Sequence, residues 1–285
     1  MNRHEVIVDS LELPARVSDI CHLLLLPISS KSQLKKQIKK GNIFLNGKKA
    51  YSGDWVKNGD KLTFLENQRM KSNPHIPIEI VYEDEDLAIV VKPFGLPTSG
   101  NRLRQLDNAL PHCLRKSQKP GALVNPQAIH RLDGPTYGLL IIAKTKTSLQ
   151  LLNAQLEKKE IQKYYRAIVL GKVEDSLELK APINSQPAFT KVYPIQHFPS
   201  KRFQWISLVK LQAITGRTHQ LRIHLSQIDH PIMGDRLYCP EDLLVKGKGL
   251  YLAATELQLH HPISKEALTF EIDLPKKFQK IIQGA

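Results

Sequence analysis

The clearest hydrophobic pattern in the chain is a run of five apolar residues, Leu139–Ala143, that follows a polar loop. A short apolar run bounded by glycine and proline is typical of a buried β-strand. The loop, HRLDGPTYG, begins at His130 and carries one carboxylate, Asp133. A loop tied to a buried strand can hold a reactive side chain still, so Asp133 is a candidate reactive group. The alternative is a structural carboxylate that anchors the loop through Arg131.

Residues 1–66 have the pattern of a small α+β domain. Apolar spacing predicts a short helix over Arg16 to about Leu26, and a second helix from about Ser30 to a stop at Gly41. Short strands follow, joined by turns such as Asn46-Gly47. The polar face of the second helix is rich in lysine: Lys31, Lys35, Lys36, Lys39 and Lys40. Such a face is either solvated surface or a contact surface for a polyanion.

The polar, proline-containing stretch at residues 67–77 predicts a linker, and residues 78–285 then show mostly strand patterns. The predicted strands are Glu79–Glu83, Leu87–Val91, Leu139–Ala143, Gln162–Leu170, Leu177–Ile183, Phe189–Ile195, Ile206–Ile214, Leu250–Leu259 and Ala267–Leu274. The predicted helices are part of Asn101–Ser117, a helix that Thr147 caps and that ends near Lys159, and a short one after Thr218. Because these elements do not alternate as βαβ units, we predict an α+β fold around a largely antiparallel mixed sheet.

A second polar constellation, TGRTHQLRIHLSQIDHPIMGD, covers Thr215–Asp235. Thr218 can cap a short helix whose apolar residues recur at helical spacing, although their alternation would also suit a strand. Arg222 then lies in the first turns, at the positive end of the helix dipole. An arginine there needs an anionic partner, and Asp133 or an RNA phosphate would serve.

The charge of the chain indicates a polyanionic partner. Lysine plus arginine number 41 against 27 acidic residues, a formal charge of +14 with an isoelectric point near 9.6. Such an excess of positive charge destabilises the compact fold by self-repulsion unless the phosphates of a bound partner offset it. A membrane surface is the weaker option because no basic amphipathic helix with aromatic anchors is evident.

Several function classes have little support in the sequence. No apolar run is long enough to cross a bilayer, and the first ten residues do not have the pattern of a signal peptide. The three cysteines, Cys21, Cys113 and Cys239, are far apart, which fits a reducing cytoplasm and offers no zinc framework. His219 and His224 lack the spacing that shares a helix face, so we predict no metal.

The chain resembles the RluA-type pseudouridine synthases over nearly all of residues 78–275. HRLDGPTYGLLIIAK resembles the family's signature, and VYEDEDLAIVVKPFGLPT resembles its opening strand pair. KKEIQKYYRAIVLG, TGRTHQLRIHLSQIDHPIMGD and GLYLAATELQLHHP resemble the later motifs, in the family's order. The resemblance implies an enzyme that converts uridines of RNA into pseudouridine without a cofactor, a metal or an energy source.

The resemblance also implies roles for five residues. Asp133 would be the catalytic nucleophile, attacking either the anomeric carbon of the sugar or carbon six of the uracil ring. Tyr165 would stack on the base, and Arg222 would pair with the aspartate and keep it ionised. Arg131 would help displace the target base, and Leu252 would be an apolar residue near it. Taken alone, Tyr165 would be better interpreted as an aromatic residue of a core strand.

Two positions depart from the family's pattern. Tyr137 stands where the family usually has a small residue, commonly serine, and Ala253 replaces the histidine usual in the closing motif. We expect these departures to concern the pocket wall and the choice of substrate rather than the reaction.

The N-terminal segment, about residues 13–66, resembles the small RNA-binding domain named after ribosomal small-subunit protein four. The resemblance rests on RVSDICHLL, SSKSQLKKQIKKGNIFLNGKK and VKNGDKL, in that order. It implies that the second helix and the residues around Lys48 face RNA phosphates. The expected organisation is an RNA-binding domain at 1–66, a linker at 67–77 and a catalytic domain at 78–285.

We therefore expect a cytoplasmic, monomeric RNA pseudouridine synthase that acts on ribosomal RNA, with transfer RNA as the alternative substrate. An alternative of a different class is a catalytically silent RNA-binding or ribosome-assembly factor with the same fold. A metal-dependent hydrolase is the third option and lacks a ligand set.

Overall fold

The computed structural model describes residues 2–9, 11–20, 28, 31–66, 76–100 and 104–283. The chain forms two compact units, Met1–Ser72 and Asn73–Ala285. The predicted linker, residues 67–77, lies outside the described residues except for its last two positions. In the part of the chain that is described, no helix is both long and apolar enough to cross a membrane.

In its described residues, the first unit contains one α-helix and a four-stranded sheet in the order β1-β6-β3-β4, with β2 and β5 paired separately. Its elements are β1 (Asn2–Ile7), β2 (Ala15–Arg16), α1 (Lys31–Lys39), β3 (Ile43–Leu45), β4 (Lys48–Lys49), β5 (Trp55–Val56) and β6 (Lys61–Glu66). Leu34 and Ile38 of α1 are buried against Ile43 and Leu62 of the sheet. The amphipathic pattern of the helix therefore predicted its packed face correctly.

The positions of the turns in this unit are explained by residues that readily adopt positive φ. Gly41 has φ +70°, and its amide donates a hydrogen bond to the Ile38 carbonyl, which ends α1 as predicted. Asn46 and Gly47 both have positive φ, as a tight turn between β3 and β4 requires. The helix predicted from Arg16 is wrong at its start, where β2 and a single 3₁₀ turn, Val17–Asp19, stand instead. Its remainder, residues 21–27, lies outside the described residues, as does Ser30.

The second unit is organised around one sheet of ten strands. Eight follow the order β12-β13-β14-β11-β15-β10-β8-β7, while β16 pairs with β15 and β9 with β10. The strands are β7 (Glu79–Glu83), β8 (Leu87–Lys92), β9 (Ala122–Ala128), β10 (Tyr137–Thr145), β11 (Gln162–Leu170), β12 (Leu177–Leu179), β13 (Thr190–Ser200), β14 (Gln204–Ala213), β15 (Leu252–His260) and β16 (Ala267–Glu271). The helices are α2 (Leu106–Cys113), α3 (Lys146–Glu157), α4 (Gln220–Gln227) and α5 (Lys276–Gln283).

The pairing of β10 places it at the centre of this sheet. It runs antiparallel to β8 and to β9, and parallel to β15 at Tyr137 and Gly138. Leu140 and Ile142 face one apolar cluster, while Leu139 and Ile141 face another. Burial on both faces explains the continuous apolar run in the sequence. The predicted α+β fold around a largely antiparallel mixed sheet is confirmed.

Several local predictions in this unit are wrong at the caps or ends of elements, as at β12, which ends at Leu179 rather than at Ile183. The N-cap of α3 is Thr145, not Thr147, and a capping box joins Thr145 to Ser148. The buried Ser148 hydroxyl also donates to the Asp86 carbonyl at 2.6 Å, so the cap is part of the core. Strand β13 was predicted to end at Ile195 but continues to Ser200 past two prolines, Pro194 and Pro199, and its register with β14 shifts directly after Pro194. The shift is a β-bulge or similar irregularity, a place where a strand tolerates proline.

Candidate active site

Hydrogen bonds hold the backbone of the Asp133 loop on both sides of the carboxylate. The Thr136 amide donates to the Asp133 carbonyl oxygen at 3.0 Å and closes a tight turn. The Thr98 hydroxyl donates to the Leu132 carbonyl at 2.9 Å and accepts from the Leu132 amide at 3.2 Å. The direction of the Asp133 side chain is therefore set by a fixed main chain.

Lys92, at the end of β8, supports the same loop from the interior. Its fully buried ammonium group donates to the carbonyl oxygens of Pro93 at 3.0 Å, Leu96 at 2.8 Å and Gly134 at 3.2 Å. Burial lowers the pKa of Lys92 to about 7, and the charge of Asp133 opposes that shift. Sequence reasoning missed this residue, whose only signal was a lysine at the end of an apolar strand.

The loop before α4 is ordered by Gln220, the first residue of that helix. The side-chain oxygen of Gln220 accepts from the Thr215 hydroxyl at 2.6 Å and from the Arg217 amide at 3.0 Å. The predicted cap by Thr218 is wrong, because the N-cap is His219, whose φ of 57° is left-handed. The side chain of Gln220 therefore orders the loop before α4, and Thr218 is not the cap of that helix.

Arg222 lies in the first turn of α4, where its guanidinium group contacts two carboxylates. Nε and Nη2 donate to Asp235 at 2.7 and 2.6 Å, and Nη1 lies 3.4 Å from Asp133 Oδ2. Burial opposes the charge of Arg222, but the hydrogen bonds and charge of Asp235, assisted by Asp133, outweigh it and raise its pKa. The expected contact with Asp133 is present, while the tighter partner, Asp235, was missed. Its forked bond to Asp235 fixes the guanidinium plane beside Asp133.

The imidazole of His219 is a second nitrogen-containing group close to the Asp133 carboxylate. Its Nε2 atom lies 3.7 Å from Asp133 Oδ1, and its Nδ1 atom lies 2.8 Å from the Tyr238 hydroxyl. The Tyr238 ring also lies under the Arg222 guanidinium, 5.1 Å from its carbon. Tyr238 therefore packs against both groups that surround the carboxylate, and sequence reasoning gave no signal for it.

Asp133 opens into a cavity of about 560 Å³. Its lining includes Arg131, Asp133, Lys163, Tyr165, Arg217, His219, Arg222 and Leu252. The volume is in the range of small-molecule sites and can hold a nucleotide. The structure thus brings together at one cavity all five residues that the catalytic-domain resemblance named: Asp133, Tyr165, Arg222, Arg131 and Leu252.

The charge states around the cavity follow from burial. Burial, together with the charge of Asp133, raises the pKa of Tyr165 well above its ordinary value, so its phenol stays protonated. Burial and the neighbouring charge of Lys163 lower the pKa of His130 to about 3. His130 is therefore neutral, and its Nε2 accepts a hydrogen bond from the Ile141 amide at 3.4 Å. Tyr165 offers a neutral aromatic surface, and His130 offers no charge.

The two departures from the family pattern, Tyr137 and Ala253, do not line the cavity. Tyr137 stacks on Phe94 with ring centroids 5.0 Å apart, and Ala253 is fully buried in the sheet. The expectation that they alter the pocket wall is therefore wrong. The reason is the alternation of β15, which turns Leu252 toward the cavity and the next residue away from it.

The predicted RNA-contacting lysines lie in the first unit. Lys35, Lys36 and Lys39 are exposed on α1, and Lys48 is exposed on β4. Lys31 is also exposed but has an ion-pair partner, Asp19, at 3.3 Å.

One cluster in the described part of the chain has the composition of a metal site: Asp84, Asp86 and His261. Its members already have partners. His261 Nε2 lies 2.8 Å from Asp84 Oδ2, and Lys119 forms an ion pair with Asp86 at 2.5 Å. None of the three lines the cavity around Asp133. Asp84 and Asp86 belong to the hydrogen-bonded turn between β7 and β8, and His261 contacts that turn from the end of β15.

Comparison with known proteins identifies the chemistry of this site. A family model described as RNA pseudouridylate synthase matches residues 86–227. A protein of Aquifex aeolicus named an uncharacterized RNA pseudouridine synthase is 33% identical over 281 residues, covering 90% of this chain and 89% of that relative. The ribosomal large subunit pseudouridine synthase D of Nitrosomonas europaea is 34% identical over 284 residues, covering 91% of this chain and 81% of that relative.

Solved structures share the fold. The human RNA pseudouridylate synthase domain containing 4 superposes with a TM-score of 0.57 at 24% identity, covering 72% of this chain and 92% of that one. The human RNA pseudouridylate synthase domain containing 1 gives the same TM-score at 21% identity. With the matched family model and relatives above 30% identity over most of both chains, this protein belongs to the RluA-type family of RNA pseudouridine synthases.

Proposed function

We propose that this pseudouridine synthase isomerises uridines of ribosomal RNA, with Asp133 as the nucleophile. The observation that carries the proposal is the Asp133 carboxylate at the edge of a nucleotide-sized cavity, 3.4 Å from a buried arginine that Asp235 holds in place. A carboxylate that is fixed in direction within a partly dry site is an effective nucleophile. Tyr165 and Leu252, which line the same cavity, supply surfaces for the base.

The reaction exchanges one bond to the sugar for another. In one route, a carboxylate oxygen of Asp133 attacks the anomeric carbon, and the uracil leaves with the electron pair of the bond to nitrogen one. The uracil then turns, carbon five bonds to the anomeric carbon, and the bond to Asp133 breaks. Carbon five loses a proton and nitrogen one gains one, so the product is an isomer. In the other route Asp133 adds first to carbon six of the ring, and the electron pair of the 5,6 double bond moves toward the carbonyl at carbon four. The bond to the sugar then passes from nitrogen one to carbon five, and the bond to Asp133 breaks as the 5,6 double bond is restored with the same net loss and gain of one proton.

The neighbours of Asp133 fit either route. Arg222 offers a charge-assisted hydrogen bond to the carboxylate in the free enzyme and keeps its direction. Tyr165 remains a neutral phenol because its pKa is raised, so it serves as a stacking surface and hydrogen-bond donor rather than as a base. Stacking contributes roughly 1–3 kcal/mol per base, comparable with the cost of extruding a base. Arg131, exposed at the mouth of the cavity, would take the space that the extruded base leaves.

Ribosomal RNA is favoured over transfer RNA by the relatives. The Nitrosomonas europaea relative at 34% identity is named for the ribosomal large subunit. Relatives in Xanthomonas campestris and Neisseria meningitidis, at 29% and 30% identity, carry the same name. The charge of +14 also suits an RNA substrate, and the proposal takes the protein to be a monomer in the cytoplasm. No cofactor or metal enters the proposed reaction.

The first unit is proposed as an RNA-binding domain at 1–66, joined by a linker at 67–77 to the catalytic domain at 78–285. Support comes from the exposed lysines of α1 and β4, which have no carboxylate partner among the described residues except at Lys31. Such unpaired charges gain free energy when they replace counterions on a phosphate backbone.

The test of the main proposal is a map of pseudouridines in total RNA. Cells carrying the wild-type protein, the Asp133→Asn variant or a deletion are compared. We expect the same ribosomal uridines to lose the modification in the variant and in the deletion. Loss confined to transfer RNA would assign the alternative substrate, and no loss in either strain would favour a silent RNA-binding factor. A site that survives Asp133→Asn but not deletion would remove the nucleophile role from Asp133.

The role of the first unit is tested by replacing Lys35, Lys36 and Lys39 together with alanine. We expect weaker RNA binding and a smaller salt dependence, by roughly 0.7–0.9 in logarithmic slope for each lost phosphate contact. The control replaces exposed lysines of the other unit, Lys146 and Lys158, which do not line the cavity. A salt slope equal to that of the control would make the α1 lysines ordinary solvated surface.

A further inference from the structure

Three lysines of the second unit are almost fully buried: Lys92, Lys144 and Lys163. The first two have partners that offset the cost of burial. Lys92 donates to three backbone carbonyls, and Lys144 lies 2.8 Å from Glu83 and also donates to the Asp84 carbonyl. Lys163 is 8% exposed, and the described residues offer its ammonium group neither a hydrogen-bond acceptor nor a carboxylate.

The position of Lys163 directs that ammonium group toward the active-site cavity. It lies on β11 two residues before Tyr165, so both side chains leave the same face of the sheet. Both residues line the cavity. The ammonium is also close to Gly216, where a Cβ atom would lie 3.9 Å from it. Lys163 is thus next to the loop that leads into α4.

The charges around this part of the cavity are mostly positive. Arg131, Lys159 and Arg217 line the cavity together with Lys163, and Glu157 is the carboxylate of that lining besides Asp133. Asp133 is already matched by Arg222. His130, the group whose charge state Lys163 influences, is neutral. The cavity therefore has a cationic excess that its own residues do not offset.

A buried ammonium without a partner is costly, and burial lowers the pKa of Lys163 as that cost requires. The cost is offset when an anion enters the site, because a charge-assisted hydrogen bond in a dry cavity is strong. The carbonyl oxygens of uracil carry only partial charge and would offset it less. An RNA strand presents a full negative charge beside every base.

We infer that Lys163 binds a phosphate group that flanks the target uridine, and so holds that nucleotide in the cavity. The inference rests on the proposed function, because it takes the cavity to be the nucleotide site. Lys163 and Tyr165 then bind two parts of one nucleotide from one strand, separated by about 6.6 Å along the backbone. Lys163 is a substrate-binding residue, and Asp133 remains the reacting group.

The test is a cycle of changes in the protein and in the RNA. Lys163→Gln and wild-type protein are each assayed on a short RNA containing the uridine that the wild-type protein modifies. Versions of that RNA carry a neutral methylphosphonate in place of one flanking phosphate at a time. We expect Lys163→Gln to raise KM at least about tenfold with kcat nearly unchanged. On RNA with one particular linkage neutralised, that penalty should disappear.

Three controls separate a loss of phosphate binding from other effects of the substitution. Lys146→Gln removes one exposed positive charge that does not line the cavity and should change neither KM nor the response to methylphosphonate. Binding is also measured in the Asp133→Asn background, where Lys163→Gln should weaken affinity without any turnover. Thermal unfolding without RNA should show Lys163→Gln to be at least as stable as wild type, since an unpaired buried charge is lost.

Two results would overturn the inference. If the loss from Lys163→Gln adds to the loss from methylphosphonate at both flanking linkages, Lys163 does not bind either phosphate. If kcat falls while KM and affinity are unchanged, Lys163 acts on the reaction and not on binding. Failure of the proposed function differs from failure of this inference. In the first case the wild-type protein would form no pseudouridine, while RNA binding by wild type and Lys163→Gln could still be compared.

Discussion

Tyr137 and Ala253 are register partners at the point where β10 and β15 run parallel. Partners in a sheet project their side chains from the same face, so the large residue and the small one share a site. These are also the two positions that depart from the family's usual small residue and histidine. In the family's pattern the larger side chain of the pair is the histidine on β15, whereas here it is Tyr137 on β10. The Tyr137 ring stacks on Phe94. We therefore expect the two departures to be coupled.

This coupling predicts a non-additive pair of substitutions. Tyr137→Ser should lose the stack on Phe94, and Ala253→His should overpack the site while Tyr137 is present. The double variant should recover stability relative to the sum of the two losses, with a coupling of roughly 0.5–3 kcal/mol. Urea unfolding of the four proteins measures it. Strictly additive losses would mean that the two positions do not share space.

The parallel contact also depends on Gly138. Its φ is +127°, and an added Cβ would lie 2.0 Å from the Ala254 carbonyl oxygen. We expect Gly138→Ala to abolish folding or to leave a protein without activity, because the backbone of β15 must move. The control is Gly95→Ala, where φ is +75° but nothing lies within 4 Å of the added atom. That variant should cost only about 1–2 kcal/mol in urea unfolding. Equal losses would show that φ alone matters.

Asp235 is predicted to act on the reaction through Arg222. Asp235→Asn keeps the shape of the side chain but removes one acceptor of the forked bond at 2.6 and 2.7 Å. A guanidinium that turns away from Asp133 should lower kcat by about 10²-fold, the typical effect of a misplacement of about 1 Å. The control is Asp242→Asn, an exposed carboxylate in the same segment. A fall in KM or stability with kcat unchanged would assign Asp235 a different role.

The lowered pKa of the buried Lys92 predicts that the stability of the protein depends on pH. Its folded pKa is about 7 against an ordinary value of 10.5, so the unfolded chain holds that proton more tightly. The cost of burying the charge is complete below about pH 7 and is relieved as pH rises toward 10.5. The free energy of unfolding of wild type, relative to Lys92→Met, should therefore rise over that interval, by up to about 5 kcal/mol. A difference that stays constant with pH would show that Lys92 has an ordinary pKa.

The sequence predicted those features whose cause is local. Leu139–Ala143 is continuous in its apolar character because both faces of β10 are buried, and Gly41 ends α1 because its φ is positive. These relations involve neighbours in the chain. The grouping of Asp133, Tyr165 and Arg222 came instead from resemblance, since no periodicity relates residues in three separate segments.

The features that sequence reasoning missed depend on distant backbone atoms. Lys92 was taken as the end of a strand because buried lysines are rare, and the Gly134 carbonyl that it meets lies far along the chain. Asp235 closed a motif without any sign that it would pair with Arg222. The cap of α3 was predicted at Thr147, whereas Thr145 takes that role because β10 passes into α3 without a connecting loop.

The parallel pairing of β10 with β15 has a consequence for the order of folding. Asp133 precedes β10 and Leu252 begins β15, so the cavity closes only when segments more than a hundred residues apart have met. Local helices and hairpins form early, and contacts of such long sequence separation form late. In refolding experiments, far-ultraviolet signals should therefore recover before activity does. The delay between the two signals would measure how long β15 takes to pair with β10.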